Sequence, residues 1–372
     1  MIAEKNKFVG KTEDDIELLA EKIIKKTSKK IGCEKKTLRE KIKKIFICAL
    51  ITILVTLIIL VAGLYAVMWI CVNGPSDRAR YLFVTSVKES SAAGFLAELM
   101  VPGLEVEHIL HSGETTDMDE NTDLSLIKIP TEKDNTQGDN TETDTENKIE
   151  IVDISGPTYK GKMAIIKDPS TVKVGVSGEY GSDQSGKKLE DIVKDYNGVL
   201  GVNASGFEDR GGNGNGGSPI GIVISEGKLL CGSRNKSYGI IGFDKNNILI
   251  VDTMTAQQAL DKGIRDAASF GPVLVKNGQP VYKNGGMNPR TAIGQRTDGA
   301  VLLLVIEGRQ VSSIGATMRD LTNIMLDYGA VNAANLDGGS SSSLYYNGEY
   351  VIEGSYVFGV RKIPNAFIVT SE

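Results

Sequence analysis

From Ile45 to Asn73 the chain carries no charged side chain, and the run ILVTLIILVAGLYAVMWICV inside that stretch is almost wholly apolar. Crossing a hydrocarbon core of about 30 Å takes about 20 helical residues, so residues 45–72 are expected to form a single transmembrane helix. Lys35, Lys36, Arg39, Lys41, Lys43 and Lys44 precede it, whereas Tyr65 and Trp69 sit toward its far end as interfacial anchors. This basic flank puts residues 1–44 in the cytoplasm and the rest of the chain outside, anchored in a cell membrane and facing what we read as a bacterial cell surface. A cleaved signal peptide would have a shorter apolar region placed nearer the N-terminus.

The anchor divides the chain into segments of unlike composition. Residues 1–44 form a basic cytoplasmic segment, with 14 Lys/Arg against 8 Asp/Glu, in which Ile16, Leu19, Ile23, Ile24 and Ile31 recur at helical spacing. Residues 73–111 hold a second apolar-periodic stretch, expected to be a helical juxtamembrane stalk. Residues 112–148 are rich in Thr, Asp, Glu and Asn and are expected to be an acidic disordered linker. The net charge of −5 averages over these parts and leaves the foldable ones near neutral. No basic face is left for nucleic acid.

Residues 149–372 read as one domain. Short β-type runs such as TVKVGVS, PIGIVIS, YGIIGFD, AVLLLVIEG and NAFIVT alternate with glycine-rich turns, since 34 of the 42 glycines fall after residue 150. Two helices are expected. Thr255 and Gln258 make a capping box opening AQQALDKGIRDA, and Thr317 with Asp320 opens MRDLTNIMLDYG, closed by Gly329. The second helix lies between the apolar runs AVLLLVI and AVNAANL, as in a crossover unit. The expected fold is α+β: a mixed β-sheet domain with a few helices, preceded by the single transmembrane helix.

Both histidines, His108 and His111, precede this domain, and Cys231 is its only thiol. Histidine general bases, Ser-His-Asp and Cys-His arrangements and HExxH zinc sites are therefore excluded within it. Carboxylates, arginine, lysine, hydroxyls, amides or a hard metal ion remain.

Four polar constellations stand where strands or turns end. In VNASGFEDRGGNGNGGSP, Asn203 finishes an apolar strand ahead of a glycine-rich loop, which is either a surface loop or an anion-binding concavity. Glu208, Asp209 and Asn213 in this loop could hold Ca²⁺, without EF-hand spacing. In MNPRTAIGQR, Arg290 enters a strand behind Pro289 and could present its fork to a phosphate or form a surface ion pair. In IEGRQ, Glu307 and Arg309 flank Gly308; on an extended chain the two side chains would face the same way. In NLDGGSSSS, Asn335 and Asp337 end an apolar strand, and Gly338 and Gly339 turn the chain so that N–H groups and the hydroxyls of Ser340 and Ser341 converge.

Taken together, VNASGF with its glycine loop, PIGIVISEGK, NPRTAIG, EGR, GATMRDLTNIMLDYGA and NLDGGSSSS resemble the phosphodiester glycosidase family, in the family's order, over roughly residues 195–370. Where that family has Asn-Gly-Gly-Phe-Phe, this chain has Asn203-Ala204-Ser205-Gly206-Phe207, and Ser340 replaces a third glycine after Asp337. The resemblance implies hydrolysis of a sugar-1-phosphodiester between the anomeric carbon and the phosphate oxygen, and the expected membrane anchor makes a phosphodiester-linked surface glycan the expected partner. It also implies Asp337 as nucleophile or base, Glu307 as second carboxylate, and Arg290 and Arg309 as phosphate ligands assisted by Gly338 and Gly339. Asn203 would hydrogen-bond sugar or phosphate, with Phe207, Asn335, Ser340 and Ser341 lining the binding site. No cofactor is required by the sequence, and Ca²⁺ stays open. A non-catalytic phosphoglycan-binding module and a metal-dependent phosphodiesterase cleaving P–O are the alternatives.

Overall fold

The structure, a computed structural model, describes residues 13–111, 120–129, 148–283, 285–354 and 359–371. The chain comprises two units, residues 1–70 and 71–372. In the first, the amphipathic segment and the apolar run expected as separate helices belong to one continuous helix, α1 (Glu13–Asn73). It is long and apolar enough to cross a membrane, and its apolar side chains are exposed along most of the run.

The second unit opens with three short helices, α2 (Asp77–Lys88), α3 (Phe95–Met100) and α4 (Gly103–His111). Val72, Val84, Ala97, Val101 and Val106 give them a small apolar core of their own. Ser76 caps α2 by accepting the Ala79 N–H.

The domain proper is three antiparallel sheets. The first holds seven strands in the order β1 (Ile149–Ser155), β2 (Lys160–Ile166), β13 (Val301–Ile306), β12 (Arg290–Arg296), β14 (Ala330–Leu336), β10 (Val273–Lys276) and β11 (Gln279–Pro280). The second runs β16 (Glu349–Ile352), β15 (Leu344–Tyr346), β4 (Gly198–Asn203), β17 (Asn365–Thr370), β3 (Val172–Val176). The third runs β6 (Lys228–Cys231), β5 (Val223–Ser225), β9 (Ile264–Ala268), β7 (Ser237–Asp244), β8 (Leu249–Thr255). One core joins the inner faces of all three, with Val174, Val202, Phe243, Leu303, Leu336 and Phe367 among its members. Each outer face carries a helix: α7 (Met318–Asp327) on the first sheet, α5 (Leu189–Asp195) on the second, α6 (Ala256–Asp261) on the third.

This layering explains the unbroken run in β13. Val301, Leu303 and Val305 enter the shared core, while Leu302, Leu304 and Ile306 face α7, so both sides of the strand must be apolar. The crossover from β13 through α7 to β14 makes those two strands parallel, but β12 lies between them, and the hydrogen-bonded ladders in the sheet are antiparallel. Both capping boxes form. The first helix is shorter than AQQALDKGIRDA suggests, because Gly263, at φ 77°, turns the chain and IRDAA becomes β9.

Within the expected disordered linker, residues 112–119 and 130–147 lie outside the described residues, and residues 120–129 pack on the domain. Thr122 donates its N–H and hydroxyl to Asp252, each at 2.9 Å, and Asp252 pairs with the buried Lys276 at 3.0 Å. Ile127 enters the core beneath α6. Composition missed this strap because two buried anchors suffice to hold a segment that is otherwise polar. Asp252→Ala strands a buried ammonium and should destabilise the domain by about 3–5 kcal/mol, read from the denaturant midpoint.

Candidate active site

A cavity of about 470 Å³ opens where β12 begins and β4 and β14 end. Asp337 lies on it directly after β14, held by its N–H to the Ala204 carbonyl at 2.9 Å. Its carboxylate sits deep in the domain and accepts the Gly338 N–H at 3.0 Å. Burial pushes its pKa up to about 6, against the opposing pull of the Ser341 hydroxyl, Arg361 and the Gly338 N–H.

Three arginines line the same space. Arg290 is almost fully buried, and its donors are engaged: Nε to the Ala316 carbonyl, Nη2 to the Gly286 carbonyl at 2.6 Å and to Glu89 at 2.5 Å. Arg361 pairs with Asp209 at 2.5 Å, donates to the Ser340 hydroxyl at 2.9 Å and lies over the Phe207 ring. Arg309 makes no ion pair among the described residues. Arg309 keeps contact with solvent; partial desolvation at the cavity, followed by the charges of Arg290 and Arg361, pushes its pKa below the ordinary guanidinium value, yet it remains a cation. Its backbone is left-handed, φ 59°, a conformation that costs an arginine energy and is kept where the fold demands it. Gly339, also left-handed at φ 61°, leaves room for this guanidinium: a Cβ there would lie 3.2 Å from Arg309 Nη2.

Asp209 is the second carboxylate of the domain on the cavity. Burial alone would raise its pKa, but the Gly214 N–H, Arg361 and the Ser91 hydroxyl hold it below the ordinary range. The glycine loop that carries it is packed in place; a Cβ on Gly214 would meet the Glu208 carbonyl at 2.4 Å. Asp209 Oδ1 pairs with Arg361 and accepts the Gly214 N–H at 2.7 Å.

Of the residues singled out in the sequence, Asp337, Arg290, Arg309, Phe207, Asn335, Gly338, Gly339 and Ser340 line the cavity. Three others stand elsewhere or are already occupied. Glu307 is not on the cavity: Gly308 and the left-handed Arg309 break the extended geometry that would have turned both side chains the same way. Asn203 is buried behind the cavity, donating to the Asp337 carbonyl at 2.6 Å and accepting from Thr291 and Ser343, so it fixes the turn that carries the aspartate. Ser341 is buried beneath the turn. The N–H groups of Gly338 and Gly339, expected to be open for phosphate, are taken by Asp337 Oδ1 and the Pro289 carbonyl.

Residues that sequence reasoning passed over complete the wall. Glu89, Ser90, Ser91 and Ala92 follow α2 and come from the segment expected to be a stalk. Phe270 and Ile220 stand exposed on the rim, 40% and 58%, as an apolar ledge. Asn335 donates to the Gly271 carbonyl at 2.8 Å, while its Oδ1 is buried without a partner among the described residues.

Residues 196–370 match the family described as phosphodiester glycosidase. This stretch is similar to phosphodiester glycosidase domains. It is 30% identical over 173 residues to the SPbeta prophage-derived uncharacterized protein YomE of Bacillus subtilis (strain 168), covering 43% of this chain and 26% of that one. To the N-acetylglucosamine-1-phosphodiester alpha-N-acetylglucosaminidase of Mus musculus it is 23% identical over 153 residues, covering 36% and 29%. The chain thus spans less than a third of the length of these curated relatives. In fold it is similar to the zebrafish N-acetylglucosamine-1-phosphodiester alpha-N-acetylglucosaminidase catalytic domain, a structure described as auto-inhibited by its pro-peptide. The TM-score is 0.51 at 21% identity, over 60% of this chain and 82% of that one. The cavity built from Asp337 and the arginines lies largely within the matched stretch, but Glu89 and its neighbours lie outside it.

Proposed function

We propose that the protein is a membrane-anchored, extracytoplasmic glycosidase that hydrolyses sugar-1-phosphodiesters at the bond between anomeric carbon and phosphate oxygen. Its substrates would be phosphodiester-linked surface glycans. The observation that carries this proposal is a buried carboxylate, Asp337, sharing a cavity with three guanidinium groups, one of which, Arg309, has no ion-pair partner among the described residues.

The chemistry suits such a substrate. The C–O electrons leave with the phosphate, which as a monoester needs little help from a general acid, so the absence of histidine from the domain is no obstacle. Arg309 binds the phosphodiester charge, with Arg361 held beside it by Asp209. Asp337 acts at the anomeric face as base or nucleophile, and water supplies the hydroxyl that ends on the sugar. Phe270 and Ile220 offer the sugar an apolar ledge, and Asn335 Oδ1 an acceptor for a hydroxyl or amide donor.

Hydrolysis of a panel of sugar-1-phosphodiesters in H₂¹⁸O tests the proposal. Label in the sugar is expected; label in the phosphate means P–O cleavage, and no turnover of any member leaves a binding module. A pH profile is a second test. Asp337 must be ionised to act, and its raised pKa means that kcat/KM should climb as the pH passes about 6 and level off above it. A rate insensitive to pH between 5 and 7 would remove Asp337 from that role.

A further inference from the structure

The charges around the cavity can be counted against one another. Glu89, Asp209 and Asp337 face Arg290, Arg309 and Arg361. Two of the cations are already neutralised, Arg290 by Glu89 and Arg361 by Asp209, each pair at 2.5 Å, while Arg309 makes no ion pair among the described residues. Among the described residues, a ligand entering this space therefore meets two cancelled ion pairs, the cation of Arg309 and the carboxylate of Asp337.

Glu89 is the unusual member. It is the C-terminal cap residue of α2, upstream of the stretch that matches the glycosidase family. Its Oε1 accepts the Gly286 N–H at 2.9 Å, and its Oε2 accepts from Asn288 at 2.8 Å and from Arg290. Ser86 and Tyr81 of the same helix accept the N–H groups of Met287 and Gly285, at 2.9 and 3.2 Å, so α2 is fastened along the loop that leads into β12. The cavity keeps about 470 Å³ with this segment in place, so the segment walls the cavity and does not fill it.

We propose that Glu89 is a charge-selectivity residue: it cancels Arg290 and so tunes the cavity to a monoanionic phosphodiester and against a dianionic phosphomonoester. This deepens the proposed function and rests on it for the identity of the natural ligand. Its consequence is directional. Cleavage of the C–O bond turns a diester with one negative charge into a monoester, whose second ionisation lies near pH ~6, so at neutral pH the product carries about two. The added charge finds no second open cation among the described residues, because Arg290 and Arg361 are cancelled by Glu89 and Asp209, and it lies in the same cavity as the ionised Asp337. The product is thereby driven out, and free sugar-1-phosphate is excluded as a competitor.

The test separates this selectivity from catalysis by using anions that have no anomeric carbon. Phenyl phosphate and methyl phenyl phosphate differ by one methyl group and one charge at pH 8, and their Kd values for the full-length protein can be measured by titration calorimetry. The wild type is expected to bind the monoanion at least about ten-fold more tightly, because the second charge of the dianion has to be desolvated with no open cation to receive it and with the Asp337 carboxylate in the same cavity. Glu89→Gln, which keeps the shape of the side chain, should shrink that preference about ten-fold, and Glu89→Asp should retain it. Equal binding of both anions by the wild type overturns the proposal, as does an unchanged ratio in Glu89→Gln. Binding of neither anion overturns it too, because Arg309 is then not the open cation required. Should Glu89→Gln fail to fold, Glu89→Ala removes the same charge and should shrink the ratio likewise, an unchanged ratio in it overturning the proposal. Loss of the selectivity in a protein that hydrolyses diesters refutes only the role of Glu89, whereas intact selectivity without hydrolysis refutes only the reaction.

Discussion

Asp337→Asn is expected to lower kcat/KM by about a thousand-fold or more while making the domain more stable at neutral pH. The first effect follows from removing the carboxylate that acts at the anomeric carbon. The second follows from linkage. The folded pKa of about 6 lies above the ordinary value of 3.8, so the folded state holds this proton more tightly than the unfolded chain does. Its ionisation therefore costs stability, and the loss sets in as the pH rises from 3.8 to about 6. The neutral amide does not incur that loss and can still accept the Gly338 N–H. A gain of roughly 1–3 kcal/mol at pH 7.5, vanishing at pH 4, should appear in chemical denaturation of variant against wild type. Near-normal turnover would exclude Asp337 from the chemistry, and a destabilised variant would mean that the aspartate's main task is structural.

Arg309→Gln should lower kcat/KM by about 10²- to 10³-fold, the usual cost of removing one preorganised donor from a developing charge. Stability is expected to change little, since the guanidinium forms no ion pair among the described residues. Arg309→Gly sharpens the contrast, because glycine adopts the left-handed backbone at this position without strain. That variant should keep its Tm within about 4 °C of wild type and lose as much activity as Arg309→Gln. Full activity in both would make Arg309 a surface charge with no part in binding. Arg290 behaves differently in physical terms. It holds two carbonyls and Glu89 together at the entry to β12, so its removal would loosen the cavity wall before it touched any phosphate.

The elements that were legible in the sequence are those governed by local rules. Both capping boxes depend on residues three apart, and both form. The double-sided apolar pattern of β13 follows from a strand covered on both faces, and the turn after β14 places Asp337 on the cavity, as the Asn-Leu-Asp-Gly-Gly run suggests. Where a local rule was applied through a break in regular geometry, it failed. Period-two alternation would have paired Glu307 with Arg309, but it does not survive a residue at φ 59°. The extension of α6 through IRDAA failed in the same way at Gly263.

The apolar span, the order of segments, the α+β class and the exclusion of histidine chemistry from the domain were determined by the sequence alone, because each depends on composition or on spacing within a few residues. The remaining charged members of the cavity were assigned only by tertiary structure. Arg361 sits in an unremarked basic pair near the C-terminus, Asp209 in a glycine loop, and Glu89 at the end of a helix that reads as a stalk. Their partners lie far off along the chain, Glu89 and Arg290 being 201 residues apart. No periodicity encodes such a contact. It exists because three sheets close on one core and bring the ends of β4, β12 and β14 to a single edge, where charges unremarkable in sequence neutralise one another and leave one arginine open.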